Sequence, residues 1–87
     1  MDQSTTIEFP CDYPVKVIAE FEDGLVEEVI AIARRHDPTV AFDKVKQRAS
    51  RHGRYHSITI LLWATGEDQL KNLFEDLKQH QAVRMVL

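Results

Sequence analysis

One cysteine in 87 residues leaves nothing for Cys11 to pair with inside the chain, so no disulfide staples the fold. Three glycines and three prolines are too few for a low-complexity tract or an interdomain linker, and no internal repeat is present. No apolar run approaches the ~20 residues that a bilayer crossing needs. The opening Met1-Asp2-Gln3-Ser4-Thr5-Thr6 lacks the basic start and apolar stretch of a signal peptide, so a cytoplasmic location and no membrane partner are expected. Also missing are a Ser-His-Asp pattern, a phosphate loop and a dinucleotide fingerprint. An enzyme is not expected, and no cofactor is implied.

What remains is ordinary globular composition, 44% hydrophobic and 29% charged, enough for one domain near the lower size limit of an unstapled core. The net charge of −3 conceals an asymmetry. Residues 1–37 carry nine acids and three bases, residues 38–56 one acid and five bases, and residues 57–87 four acids and three bases. Such a dipole orients anions or partners without the strongly basic balance of a dedicated nucleic-acid binder.

Residues 1–12 read as an N-terminal arm, partly disordered, and 13–87 as a single domain. Tyr13, Val15, Val17, Ala19 and Phe21 alternate with Lys16, Ile18 and Glu20, the period of a strand with one core face. Asp23 offers a cap for a helix carrying Leu25, Val26, Val29, Ile30 and Ala33 on one side, ended by Pro38. Phe42 to Ser50 reads as a second strand, with Val45 inward and Lys44, Lys46 and Arg48 outward. Gly53 marks a turn, and Arg54 to Ala64 a third strand. Thr65 and Asp68 approximate a capping box for a second helix striped by Leu70, Leu73, Phe74 and Leu77. Val83 to Leu87 closes the order strand–helix–strand–strand–helix–strand. That order predicts an α+β, ferredoxin-like βαββαβ sandwich, both helices on one face of a four-stranded antiparallel sheet.

Two helices cover one sheet face only. Tyr55, Ser57, Thr59, Leu61 and Trp63 take the open parity of the third strand, and with Ile18 they suggest an apolar interaction patch rimmed by Lys16 and the second-strand lysines. Its expected occupants are a second copy of the chain, another protein, a small ligand, or the arm itself through Ile7 and Phe9. The cations Lys44, Lys46, Arg48, Arg51 and Arg54 form a possible anion site. Nucleic acid is disfavoured, because no ring stands where a base would stack, and lysines also guard edge strands. Asp23 and Gly24 mark a strand-to-helix corner that looks like that of ACT domains, where free helix N–H groups bind a carboxylate. His52 and His56 span a turn, and with Cys11, His36 and His80 they form no metal motif; the histidines read as turn and surface residues. Cys11 reads as a free structural thiol in the arm, and Glu27-Glu28 and Glu75-Asp76 as solvated pairs.

Several segments together resemble one family. Glu8-Phe9-Pro10, Ser50-x-x-Gly53-x-Tyr55-His56-Ser57, Ala64-Thr65 before the second helix, and the ending Val83-Arg84-Met85-Val86-Leu87 closely resemble YbeD-like proteins. These are small bacterial cytoplasmic proteins of uncharacterised function. The resemblance implies the same ferredoxin-like, ACT-like fold and carries no catalytic residue. Members are often labelled lipoate regulatory proteins, so the resemblance implies a regulatory or binding role, with any tie to lipoate metabolism resting on the resemblance alone. A homodimeric, non-enzymatic regulator acting through protein or small-ligand binding is the expectation, with anion or nucleic-acid binding through the basic second strand and hairpin as the alternative.

Overall fold

The computed structural model describes residues 8–50 and 52–87. Strand β1 (Cys11–Glu20) leads into helix α1 (Leu25–Arg34), a 3-10 turn (Phe42–Lys44) and strand β2 (Val45–Ala49). Strand β3 (Tyr55–Ala64), helix α2 (Glu67–Lys78) and strand β4 (Val83–Val86) follow. The sheet order is β2-β3-β1-β4, every pair antiparallel. This is the expected ferredoxin-like sandwich, with the first and third strands central.

The core lies between the sheet and the helices. Val15, Val17 and Ala19 of β1 and Ile58, Ile60, Leu62 and Ala64 of β3 are wholly buried, and Leu25, Val29, Ala33, Leu73 and Leu77 of the helices close over them. Each large side chain contributes about 1.5–3 kcal/mol by leaving water. Among the described residues no helix is long and apolar enough to cross a membrane.

Pro14 sits inside a central strand without breaking it. The N–H of Lys16 donates to Leu87 O at 3.0 Å and that of Glu20 to Ala82 O at 2.9 Å, so even-numbered amides of β1 face β4. Strand β4 is too short to reach Pro14, whose missing N–H therefore costs no ladder bond.

Local details depart from the sequence reading. Strand β1 begins at Cys11, which pairs with Ala64 and packs against the core, so residues 11–12 belong to the domain rather than to an arm. Phe9 also packs against the core, on the helix side of the sheet, while Ile7 lies outside the described residues. Phe21 is exposed instead of buried, because β1 has ended and its ring lies 4.8 Å from that of His56. Asp23 makes no cap bond. The cap position is Gly24, at φ 80°, a left-handed turn that glycine adopts without strain. At α2 the reach-back comes from Gln69, whose Oε1 accepts the Thr65 N–H at 2.8 Å, and not from Asp68. Phe42–Lys44 form the 3-10 turn, so β2 has five residues where nine are expected.

Candidate functional site

The pleat gives the open face its contents, and the β1–β3 register gives it its order. Along these two strands Asp12 stands opposite Trp63, Pro14 opposite Leu61, Lys16 opposite Thr59, Ile18 opposite Ser57 and Glu20 opposite Tyr55. Strand β2 adds Lys46 beside Thr59 and Arg48 beside Ser57. On the other side Met85 pairs with Ile18, and Leu87 exchanges two backbone bonds with Lys16.

This order corrects the idea of one apolar patch. Ile18 and Leu61 are four residue steps apart, ~13 Å along the strands. Between them runs the polar row Lys16–Thr59–Lys46, so the cations cross the face instead of rimming it. Leu61 and Trp63, 40% and 43% exposed, form one apolar end. Ile18, Met85 and Leu87 form a second apolar strip along the β1–β4 side.

The five cations read as one comb divide likewise. Lys46 and Arg48 join Lys16 on the open face and line a groove of about 430 Å³ floored by Ser57 and Thr59. No carboxylate among the described residues lies within ion-pair distance of these three. Arg54 is engaged elsewhere, 3.7 Å from Glu20 and 5.2 Å from the centre of the Tyr55 ring. Glu20 is held chiefly by Arg84 at 2.9 Å. Lys44 donates to the Thr39 hydroxyl at 3.3 Å, and with Asp43, Lys46, Thr59 and Leu61 it lines a separate hollow of about 200 Å³. Arg51 lies outside the described residues. A second groove of about 370 Å³ continues from the first over Ile18, Tyr55 and His56, sharing Arg48 and Ser57 with it.

Trp63 is fixed by a device that no motif announces. Its backbone faces the β2 side of β3, but β2 begins only at Val45, opposite Ile60, leaving both polar groups of Trp63 beyond the strand's end. The Asp37 carboxylate accepts the Trp63 N–H at 2.9 Å, and the Gln69 amide donates to the Trp63 carbonyl at 3.2 Å. Asp37 is 4% exposed and its other oxygen accepts the Thr39 N–H and hydroxyl, at 3.0 and 2.7 Å. Burial alone pushes the Asp37 carboxyl up. The bonds from Thr39 and Trp63, with the Lys44 charge, outweigh burial and hold it below the ordinary aspartate value. In the sequence this clamp shows only as an aspartate before Pro38 at a helix end, where aspartate is common simply as a turn former.

His52 is the exposed turn residue expected, but the other three histidines are more than turn and surface residues. His36 bonds Asp76 at 2.6 Å across the two helices, so Asp76 is not merely solvated. His56 sits on the core side of β3, its Nδ1 buried without a partner among the described residues. His80, Glu28 and Glu22 bring three potential metal ligands within 4.8 Å. The His80 Nδ1 accepts the Ala82 N–H at 3.1 Å, which puts the ring proton on Nε2, facing Glu28. A metal at Nε2 would need the opposite tautomer, so this trio is a hydrogen-bonded helix tie.

The strand-to-helix corner around Asp23 and Gly24 is a shallow hollow of about 260 Å³ bordered by Glu27 and Phe42. Its acids oppose the positive end of α1, and it offers no cation for a carboxylate.

Known proteins share this fold. Among solved structures, the ACT domain of a GTP pyrophosphokinase from Chlorobium tepidum superposes with a TM-score of 0.69, over 88% of this chain and 97% of that domain, at 15% identity. Protein HP0495 from H. pylori superposes at 0.65 over 100% of this chain and 94% of its own, at 18% identity. At such identities the likeness shows the fold alone. Sequence relatives are closer. The UPF0250 protein of Leptothrix cholodnii is 40% identical over 98% of this chain and 93% of its own length, and that of Nitrosomonas europaea 33% over the whole of both. The family described as "Protein of unknown function (DUF493)" matches residues 4–87. The chain belongs to this DUF493/UPF0250 family of small bacterial proteins, in keeping with the resemblance carried by its motifs.

Proposed function

We propose that the chain is a non-enzymatic regulatory binding domain of the bacterial cytoplasm whose working surface is the open sheet face. The observation that carries this reading is the contrast between the two faces. One is filled by a closed apolar core, while the other exposes large side chains beside three cations that have no carboxylate partner among the described residues. A structural role does not need three cations gathered along one groove with Ser57 and Thr59. An edge-guarding role accounts for Lys46 and Arg48 on β2, but not for Lys16 on a central strand.

A small ligand is the favoured occupant, since the two contiguous grooves have the size of ligand sites. The tie to lipoate metabolism implied by the family resemblance makes lipoate an early compound to try, being an apolar chain that ends in a carboxylate. A melting screen against a panel of anionic metabolites should produce compounds that raise the Tm of the native chain and leave Lys46→Ala/Arg48→Ala unmoved. Hits that stabilise both proteins equally would locate binding elsewhere and sink the reading.

Self-association through the Trp63 end is a second reading, favoured by the exposure of Leu61 and Trp63 on clamped backbone. Such a dimer is centred away from Lys16, Lys46 and Arg48, because two copies meeting there would oppose like charges at close range.

A further inference from the structure

We infer that the open face is built for a phosphate monoester: the phosphoryl group sits among Lys16, Lys46 and Arg48 over the Ser57 and Thr59 hydroxyls, and the organic part lies in the adjoining groove against Ile18 and Tyr55. The inference rests on the open-face reading above and names the chemistry of its ligand.

Charge sets the headgroup. Lys16 and Lys46 flank Thr59 from opposite strands, and Arg48 stands one row on, beside Ser57. All five side chains line one groove. Taking three cations out of water needs matching anionic charge, and a phosphate monoester carries nearly two negative charges at neutral pH with three acceptor oxygens. A lone carboxylate would leave two of the cations unmatched. Arginine supplies a planar pair of donors, the lysines add point charges, and the hydroxyls donate from below.

The neighbouring groove sets the rest of the ligand. It opens directly from Arg48 and Ser57 and is mainly apolar, walled by Ile18, Ala49 and Tyr55. An organic group esterified to the phosphate enters it without passing over Lys16. A nucleic-acid strand fits less well. The aromatic residues of this face, Tyr55 and Trp63, are eight residues apart on β3, ~26 Å. Ser57, Thr59 and Leu61 stand between them, so successive bases have no stacking platform. A second copy bringing the same face would set cation against cation.

The test is calorimetric titration of the intact chain with 1-naphthyl phosphate, inorganic phosphate and octanoate. One saturable site is expected, with 1-naphthyl phosphate at least ~10-fold tighter than either of the others. Lys46→Ala and Arg48→Ala should each weaken both phosphates by ~10-fold or more. Tyr55→Ala should remove only the naphthyl advantage, and Lys71→Ala on α2 should change nothing. These positions are exposed or half-buried, and an unchanged melting temperature verifies that each variant is folded.

Several results overturn the inference. They are no saturable binding, equal affinity for 1-naphthyl phosphate and octanoate, or equal weakening by Lys71→Ala and Lys46→Ala. A single-stranded oligothymidylate that binds more tightly than 1-naphthyl phosphate, with affinity falling steeply in salt, would reassign the face to nucleic acid. Failure with phosphates alongside metabolite hits that still depend on Lys46 and Arg48 would remove this ligand class and leave the open-face reading intact.

Discussion

Asp37→Ala is expected to cost on the order of 3 kcal/mol of stability, lowering the melting temperature by more than about 10 °C. The buried carboxylate accepts from the Trp63 N–H, the Thr39 N–H and the Thr39 hydroxyl, Thr39 itself being exposed. Alanine takes the acceptor from the Trp63 N–H, which lies past the last β2–β3 pair, and from the two Thr39 donors. For a domain of this size the total stability is about 5–15 kcal/mol, so the loss is a large share.

The same residue gives a pH signature. Its folded carboxyl is held below the ordinary value, so it contributes stability above the unfolded value of ~3.9, and that contribution is lost as pH falls through the lower folded value. The native chain therefore loses the Asp37 contribution only below about pH 4, and the gap between native and Asp37→Ala narrows in that window. Chemical denaturation at pH 7 and pH 3 measures both effects. A gap that stays constant would show that the carboxylate charge does not matter.

Leu62 and Trp63 are neighbours with opposite fates. Leu62→Ala empties a wholly buried site between the sheet and the helices and should cost about 2–5 kcal/mol. Trp63→Asp, one residue on, should cost no more than about 1 kcal/mol, because Asp37 and Gln69 hold the Trp63 backbone rather than its side chain. Its effect falls on association. On the self-association reading, light scattering should give a dimer mass for the native chain and a monomer mass for Trp63→Asp. An unchanged mass would remove the self-association reading and leave the ligand reading untouched.

The architecture is legible in the sequence because it rests on periodicity. Val15-Val17-Ala19 and Ile58-Ile60-Leu62-Ala64 alternate cleanly, and Leu70, Leu73 and Leu77 repeat at helical spacing, so strands, helices and their faces follow from the pattern. Order on the open face is not legible. Alternation tells which face a side chain takes, but the register between β1 and β3 sets which residues meet, and no local feature of either strand encodes it. Parity alone therefore groups Ile18 with Leu61, although Ser57 is its true partner. Lys44 continues the alternation of Lys46 and Arg48, and only the 3-10 turn at Phe42–Lys44 removes it from the strand. The Asp37 and Gln69 clamps join residues 26 and 6 positions from Trp63. Such pairings arise where β2 stops short of the end of β3, which is a property of the sheet and not of any segment.

The open face as the working surface is tested most directly by amide-resolved ¹H–¹⁵N spectra of the native chain, recorded with and without the low-molecular-mass fraction of a bacterial cell extract. Shifts should cluster at Lys16, Ile18, Lys46, Arg48, Ser57 and Thr59, and vanish in Lys46→Ala/Arg48→Ala. Shifts confined to the outer faces of α1 and α2, or to the Asp23–Gly24 corner, would contradict this assignment.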